Sequence, residues 1–275
     1  RVIGEIDRLV EMQEGRPVAQ AVGVHYEGVF ANEKMCGALR PEYFKKYTGG
    51  ELAELPRLKS GVHMMTFAPE VEGGIELAAE FVRQGWIASI GHTRADTETL
   101  DKAFTAGARH MTHFFNAMTG IHHRDIGVAG WGLKTEPVTF DIIADGVHIH
   151  PEMLELVCRA KTPGKVTLIS DSVAPAGLGD GEFEAWGEKI VVEGGRTRNE
   201  RGSIAGSVIT MHDAFVRMRS LGFSESEVAQ MVSSNPAKLL GLEDSRGSIE
   251  AGKRADLVGV SDDGAIKFVM IGGEF

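Results

Sequence analysis

Along the first part of the chain, short apolar runs take turns with helical patterns. Strands are predicted at residues 18–25, 62–67, 87–91, 110–112, 138–144 and 166–170. Helices are predicted between them. Residues 74–84 carry Ile75, Ala78, Ala79 and Val82 at helical spacing, and residues 95–106 place Leu100, Ala103 and Phe104 on one face. Residues 3–14 read as an opening helix, and residues 151–159 as another with Pro151 in a favoured early position. Strands separated by helices imply parallel pairing with right-handed crossovers. The runs VTFDIIA and KVTLIS are nearly continuous, which predicts burial on both faces. An open doubly wound sheet and a (β/α)8 barrel both fit this pattern.

The polar residues choose between them. Glu27 follows VGVHY, His92 follows IASIG, His113 follows the strand at His110, His148 follows DIIADGV, and Asp171 follows VTLIS. Each ends a strand on its carboxyl side. In a (β/α)8 barrel those ends converge on one face, which is where such barrels hold their active sites. Glu27, His92 and His113 offer three first ligands for zinc or a similar divalent ion and leave a position for water. Asp171 is placed to take a proton from that water. A single strand-end histidine is more often a hydrogen-bonded structural residue than a ligand, so the reading rests on the four residues together. His25 points to the same side as Glu27 but deeper and reads as core. His63, His110, His122, His123, His150 and His212 read as structural or surface residues.

The segment HFFNAMTGIHHR adds an anion signal. Asn116 and Ala117 lie just past His113, and Arg124 follows on the same loop. Backbone N–H groups with an arginine fork suit a phosphate or carboxylate. A plain loop with a surface arginine is the competing reading. No P-loop and no dinucleotide glycine fingerprint is present, and the glycines at 177, 179 and 181 read as a flexible loop.

Beyond Asp171 the pattern changes. Residues 177–206 are glycine-rich and read as a loop and hairpin with KIVVEGG as a strand and turn. A helix over 207–221 follows, then one capped near Ser224 and a short one after Pro236. The tail reads as two or three strands. The expected division is a catalytic barrel from 1–180 and 207–245, a hairpin insertion at 181–206, and a small β-sandwich portion at 246–275.

Composition narrows the partners. The formal net charge of -10 argues against nucleic acid and anionic membranes. Two cysteines, Cys36 and Cys158, make no disulfide framework, so a reducing, cytoplasmic setting is expected. No apolar run reaches the roughly 18 residues of a membrane span, and no signal peptide is visible. The chain opens at Arg1 directly on a helical pattern, which suggests missing upstream sequence.

The successive motifs GVHYEG, IGHT, MTHFFNAM, ADGVHI, SDSVAPAG and GSIEAGKRADLV resemble those of the N-acetylglucosamine-6-phosphate deacetylases of the amidohydrolase superfamily. They stand in that family's order from about Val18 to the C-terminus. The resemblance implies a (β/α)8 TIM-like barrel of the metal-dependent hydrolase type, with N-terminal strands missing and a small β-sandwich built from the chain ends. It implies a homodimer acting on a small-molecule sugar phosphate, with no nucleic-acid or membrane partner. Glu27, His92 and His113 would hold a divalent metal, zinc first and iron second. Asp171 would be the general acid/base. Asn116, Ala117 and Arg124 would hold the phosphate, and His148 would touch the sugar or its phosphate. Three departures stand out. Val29 replaces a proline after Glu-Gly. Leu39 and Arg40 replace a loop histidine that assists at the substrate carbonyl. The first barrel strands are absent, since six strands are read where a barrel needs eight. Arg40 is expected at the substrate mouth as a substitute cation. Hydrolysis of a cyclic amide or an N-acyl amino acid, and a truncated non-catalytic member, remain open.

Overall fold

The computed structural model describes residues 2–185 and 187–275; Arg1, at which the upstream extension was expected, and Trp186, within the expected hairpin insertion, lie outside the described residues. The first part of the chain runs α1 (Val2–Met12), β1 (Gly23–Glu27), α2 (Glu51–Glu54), β2 (Val62–Phe67), α3 (Gly74–Arg83), β3 (Ile87–Ile90), α4 (Thr97–Thr105), β4 (His110–Met111), α5 (Gly127–Lys134), β5 (Thr139–Ile143), α6 (Pro151–Lys161) and β6 (Val166–Ile169). The six strands form one sheet in the order β1-β2-β3-β4-β5-β6, and every pair is parallel. A doubly wound sheet reverses its order at a switch point. This order never reverses, so it is the winding of a barrel.

Strand alternation sorts the side chains into two faces. Met65, Phe67, Ile90, Met111, Phe140 and Ile142 point outward and pack under Leu77, Phe81, Leu100, Val128, Trp131 and Leu154 of the surrounding helices, all in one buried cluster. The other face differs from the expectation of two apolar faces. Paired positions Glu27, Thr66, Ser89, His110 and Thr139 run across five strands, and Asp141 pairs with Thr167. These groups tolerate burial because they bond one another. Thr66 Oγ1 lies 2.7 Å from Thr112 Oγ1, and Ser89 Oγ lies 2.6 Å from the same hydroxyl. His25, expected in the core, is exposed, because β1 pairs with β2 alone; its Nε2 lies 2.7 Å from Thr66 Oγ1.

After β6 come β7 (Gly181–Ala185), β8 (Glu188–Glu193) and β9 (Arg196–Asn199), a three-stranded antiparallel sheet. It has its own small core of Ala185, Ile190 and Ala205, against which Ala38 packs. Then follow α7 (Met211–Ser220), α8 (Glu225–Ala229), a π turn at Gln230–Ser234, and α9 (Asn235–Leu239). Capping boxes at Thr210/Asp213 and Ser224/Glu227 start α7 and α8. Asn235 is buried and donates from Nδ2 to Pro163 O at 2.7 Å and Val166 O at 2.6 Å, which anchors the start of β6. β10 (Leu257–Val260) and β11 (Ile266–Met270) form a two-stranded ribbon. The chain ends do meet, since Arg254 Nη2 donates to Arg16 O and Val18 O. Among the described residues this tail is a two-stranded ribbon. No described helix is long and apolar enough to cross a membrane.

Helix α5 was not predicted, because GVAGWGLK is glycine-rich. Tertiary contact explains it. Gly127 has φ +60°, and a Cβ there would sit 2.1 Å from Gly120 O. Backbone cannot move aside as a side-chain tip can, so only glycine lets the 119–126 loop close on the helix. Gly127→Ala should therefore destabilise the fold by about 2 kcal/mol or more, read as a fall in Tm on thermal unfolding. An unchanged Tm would refute the packing argument.

Candidate metal centre

Three strand ends supply the ligand set. Glu27 is the last residue of β1, while His92 and His113 lie two residues beyond β3 and β4. Both histidines adopt left-handed backbone, φ 46° for His92 and 31° for His113, and Asp171, two residues beyond β6, has φ 48°. Non-glycine residues avoid that region, and strain of this kind concentrates at functional sites. Here it turns each side chain off the strand line and over the end of the sheet. Glu27 Oε1 lies 2.9 Å from Nε2 of His92 and 2.9 Å from Nε2 of His113, and the two nitrogens are 3.1 Å apart. The imidazoles are buried; Glu27 is 40% exposed.

The electrostatics are those of a cation site. Burial opposes charge on His113, but the Glu27 carboxylate outweighs it and raises the imidazole to about 9. Burial likewise opposes the Glu27 carboxylate, but His113 and His92 hold it well below the usual range. The donor set fits a divalent ion on its own terms. A tetrahedral ion with bonds of about 2.1 Å spaces its donors by about 3.4 Å, close to the spacing found. Two imidazole nitrogens and one carboxylate oxygen suit zinc-type ions.

Supporting contacts fix the ligands. His92 Nδ1 donates to Met35 O at 2.6 Å, which leaves Nε2 to face Glu27, and Asn32 N donates to His92 O at 3.0 Å. His113 is held through its backbone, whose N–H donates to Asp141 Oδ1. Asp141 also meets His110 Nε2 at 3.1 Å, and His110 Nδ1 lies 2.7 Å from Thr139 Oγ1. Burial would raise the Asp141 carboxyl, yet His110 outweighs it and the group stays ionised. His113 Nδ1 is buried without a partner among the described residues.

Asp171 sits beside this cluster. Burial, reinforced by the charge of Glu27, pushes its carboxyl up to about 6, against the opposing pull of His113 and His148. A carboxyl in that range can both take and return a proton near neutral pH. His148 Nδ1 bonds Asp145 Oδ2 at 2.6 Å, so its Nε2 is the nitrogen left for a ligand. Asn116 and Ala117 tie the two ligand-bearing segments together: Asn116 N donates to His113 O at 2.9 Å, and Ala117 O accepts from the N–H of Thr93, next to His92, at 3.1 Å. Arg124 is exposed on the loop beyond, with no ion pair among the described residues. Arg40 is engaged by the small sheet, where its Nε donates to Glu188 Oε1 at 3.1 Å. The structure thus brings Glu27, His92 and His113 together with Asp171 beside them, and ties Arg40 to β8.

The amidohydrolase family model matches residues 64–275. The chain is 39% identical over 248 residues to the N-acetylglucosamine-6-phosphate deacetylase of Bacillus subtilis (strain 168), a match covering 89% of this chain and 62% of that protein. It is 33% identical to the N-acetylgalactosamine-6-phosphate deacetylase of Escherichia coli O157:H7, over 95% of this chain and 70% of that one. The crystal structure of N-acetylglucosamine-6-phosphate deacetylase from Thermotoga maritima superimposes with a TM-score of 0.90 and 34% identity, covering 99% of this chain and 74% of that one. The chain belongs to the amidohydrolase family. It spans 62% of the length of its Bacillus relative.

Two residues of this amidohydrolase site escaped the sequence reading. Asp141 lies inside an apolar strand, where the signal was the carboxylate itself, since aspartate is almost never fully buried without a partner. Glu70 accepts from Asn32 Nδ2 at 2.8 Å and Arg94 N at 2.7 Å, joining the loops that carry His92. Nothing local marks it, because its partners come from distant segments. Glu27→Gln keeps the side chain's shape and removes its charge. It should weaken zinc binding on the order of a hundredfold or more, measured by competition with a chromogenic chelator. Wild-type affinity in that variant would exclude Glu27 as a ligand.

Proposed function

We propose that this chain carries the active site of a metal-dependent hydrolase that cleaves the N-acetyl amide of an amino-sugar 6-phosphate, giving acetate and the amino-sugar phosphate. The observation that carries the reading is the buried two-histidine, one-carboxylate set with Asp171 beside it, at the carboxyl ends of sequentially ordered parallel strands. The substrate class comes from the relatives, which are N-acetylglucosamine- and N-acetylgalactosamine-6-phosphate deacetylases.

In this reading Glu27, His92 and His113 hold the ion, zinc in preference to iron. When bound, it supplies Lewis acidity, which polarises the amide carbonyl and acidifies water. Asp171 takes a proton from the attacking water and returns it to the nitrogen as the carbon–nitrogen bond breaks, so the amine leaves neutral. His148, fixed through Nδ1 by Asp145, offers Nε2 to the sugar or its phosphate. The turn at Asn116 and Ala117 and the guanidinium of Arg124 grip the phosphate. Leu39 brings no donor side chain to the loop where the family resemblance offers a histidine. Arg40 is held by Glu188, so its part in this reading is to anchor that loop beside the site. The same reading takes the sheet as part of a (β/α)8 barrel with a small β-sandwich, and the enzyme as a cytoplasmic homodimer.

The test is acetate release from N-acetylglucosamine 6-phosphate and from the unphosphorylated sugar by the zinc-loaded protein. Asp171→Asn should lower kcat roughly a hundredfold or more on the phosphorylated sugar. Arg124→Ala should mainly raise KM for it, by about 2 kcal/mol, with little effect on the unphosphorylated sugar. Equal turnover of the two sugars by the parent protein would remove the phosphate from the proposal. Near-normal kcat in Asp171→Asn would remove the acid/base role.

A further inference from the structure

The three-stranded sheet β7–β9 has no part in the chemistry above, yet it touches both halves of the site. Its first contact is with the loop over His92. Arg201, just past β9, donates from Nη1 to Leu39 O at 3.0 Å and from Nη2 to Ala38 O at 2.6 Å. Glu188 on β8 sits between Arg201 and Arg40, with Oε1 3.8 Å from Arg201 Nη2 and 3.1 Å from Arg40 Nε. Ala38 seats in the sheet's small core. The clamped loop then runs back over the metal ligand. A Cβ on Gly37 would lie 3.6 Å from His92 Cε1, and Met35 O accepts the His92 Nδ1 proton.

The second contact is with Asp171. Thr197 on β9 is buried and donates from Oγ1 to Gly206 O at 2.6 Å, while Ala205 N donates to the same hydroxyl at 3.1 Å. The next residue, Ser207, donates from its N–H to Asp171 O at 2.7 Å and from its hydroxyl to Ser170 O. A Cβ on Gly206 would fall 2.7 Å from Asp171 O, so the two backbones press together. These bonds hold Asp171 at φ 48°, in the left-handed region that non-glycine residues adopt uncommonly.

We propose that the β7–β9 sheet is the frame that sets the metal ligands against the acid/base, with Arg201 as the positioning residue for His92 and Thr197 as the positioning residue for Asp171. The two act on different halves of one site. Loosening Arg201 frees the 35–40 loop and, through Met35 O, the orientation of the His92 ring. Loosening Thr197 frees the turn that locks Asp171, while all three metal donors stay in place. This rests on the hydrolase reading for its catalytic half only, since the metal half is read without substrate.

The experiment uses four variants of the purified chain, each measured for cobalt or zinc affinity by chelator competition, for the visible spectrum of the cobalt form, and for kcat and KM. Arg201→Ala should weaken metal affinity about tenfold and shift the cobalt bands, and Arg201→Lys, which can return one carbonyl contact, should recover part of both. Thr197→Val should keep parental metal affinity and cobalt spectrum and lower kcat about tenfold at unchanged KM. Arg198→Ala, which removes a charge from the exposed face of the same strand, should match the parent throughout. Parental metal affinity in Arg201→Ala, or a loss of metal affinity in Thr197→Val equal to that in Arg201→Ala, would overturn the proposal. A parent that binds metal but releases no acetate would refute the hydrolase reading and leave the Arg201 result standing.

Discussion

One carboxylate oxygen faces two imidazole nitrogens across 2.9 Å, at the open end of a parallel sheet. Most of the surrounding architecture serves that contact. Neither histidine can reach it from a regular strand, so each takes a left-handed residue just past its strand end. That backbone is unfavourable by itself, by roughly 1–3 kcal/mol per residue. It persists because hydrogen bonds over-determine it, from Asp141 to the His113 N–H and from Asn32 to the His92 carbonyl. The strain and its compensation lie on opposite sides of the same residues. The apolar face of the sheet holds the strands, and the polar face aims the ligands.

The polar interior follows from the same constraint. Thr66, Ser89, Thr112, His110 and Asp141 are buried yet mutually bonded. Replacing the packing of an apolar interior by such a network yields little stability in itself, because each buried polar group must recover its desolvation. What it yields is direction: each group has one satisfied geometry, and the strand ends above inherit it. The small sheet β7–β9 extends this control beyond the barrel strands, gripping the loop over His92 at one corner and the turn at Asp171 at another.

Much of this could be seen in the residues alone, and the rest could not for definite reasons. β2 was predicted at the bounds observed, since VHMMTF is bounded by Gly61 and by Ala68-Pro69. β1 was expected from residue 18 but begins at Gly23, because its start is set by pairing with Val62 and not by its own apolar run. Glu27, His92, His113 and Asp171 stood out as polar residues ending apolar strands. Asp141 did not, since its neighbours are apolar and its partners lie on other strands. Helix α5 was invisible because glycine disfavours helix locally and close packing favours it here. Arg40 is expected at the substrate mouth; its ion pair with Glu188, 148 positions away in sequence, is one that no local pattern announces.

The identity of the donors around the ion governs everything built on this centre. X-ray absorption on the zinc-loaded chain reads them directly. The predicted first shell contains two imidazole nitrogens and oxygen donors, all at about 2.0–2.2 Å, with no sulfur. A sulfur scatterer at about 2.3 Å, or a shell of oxygen alone, would contradict the assignment of the centre to Glu27, His92 and His113.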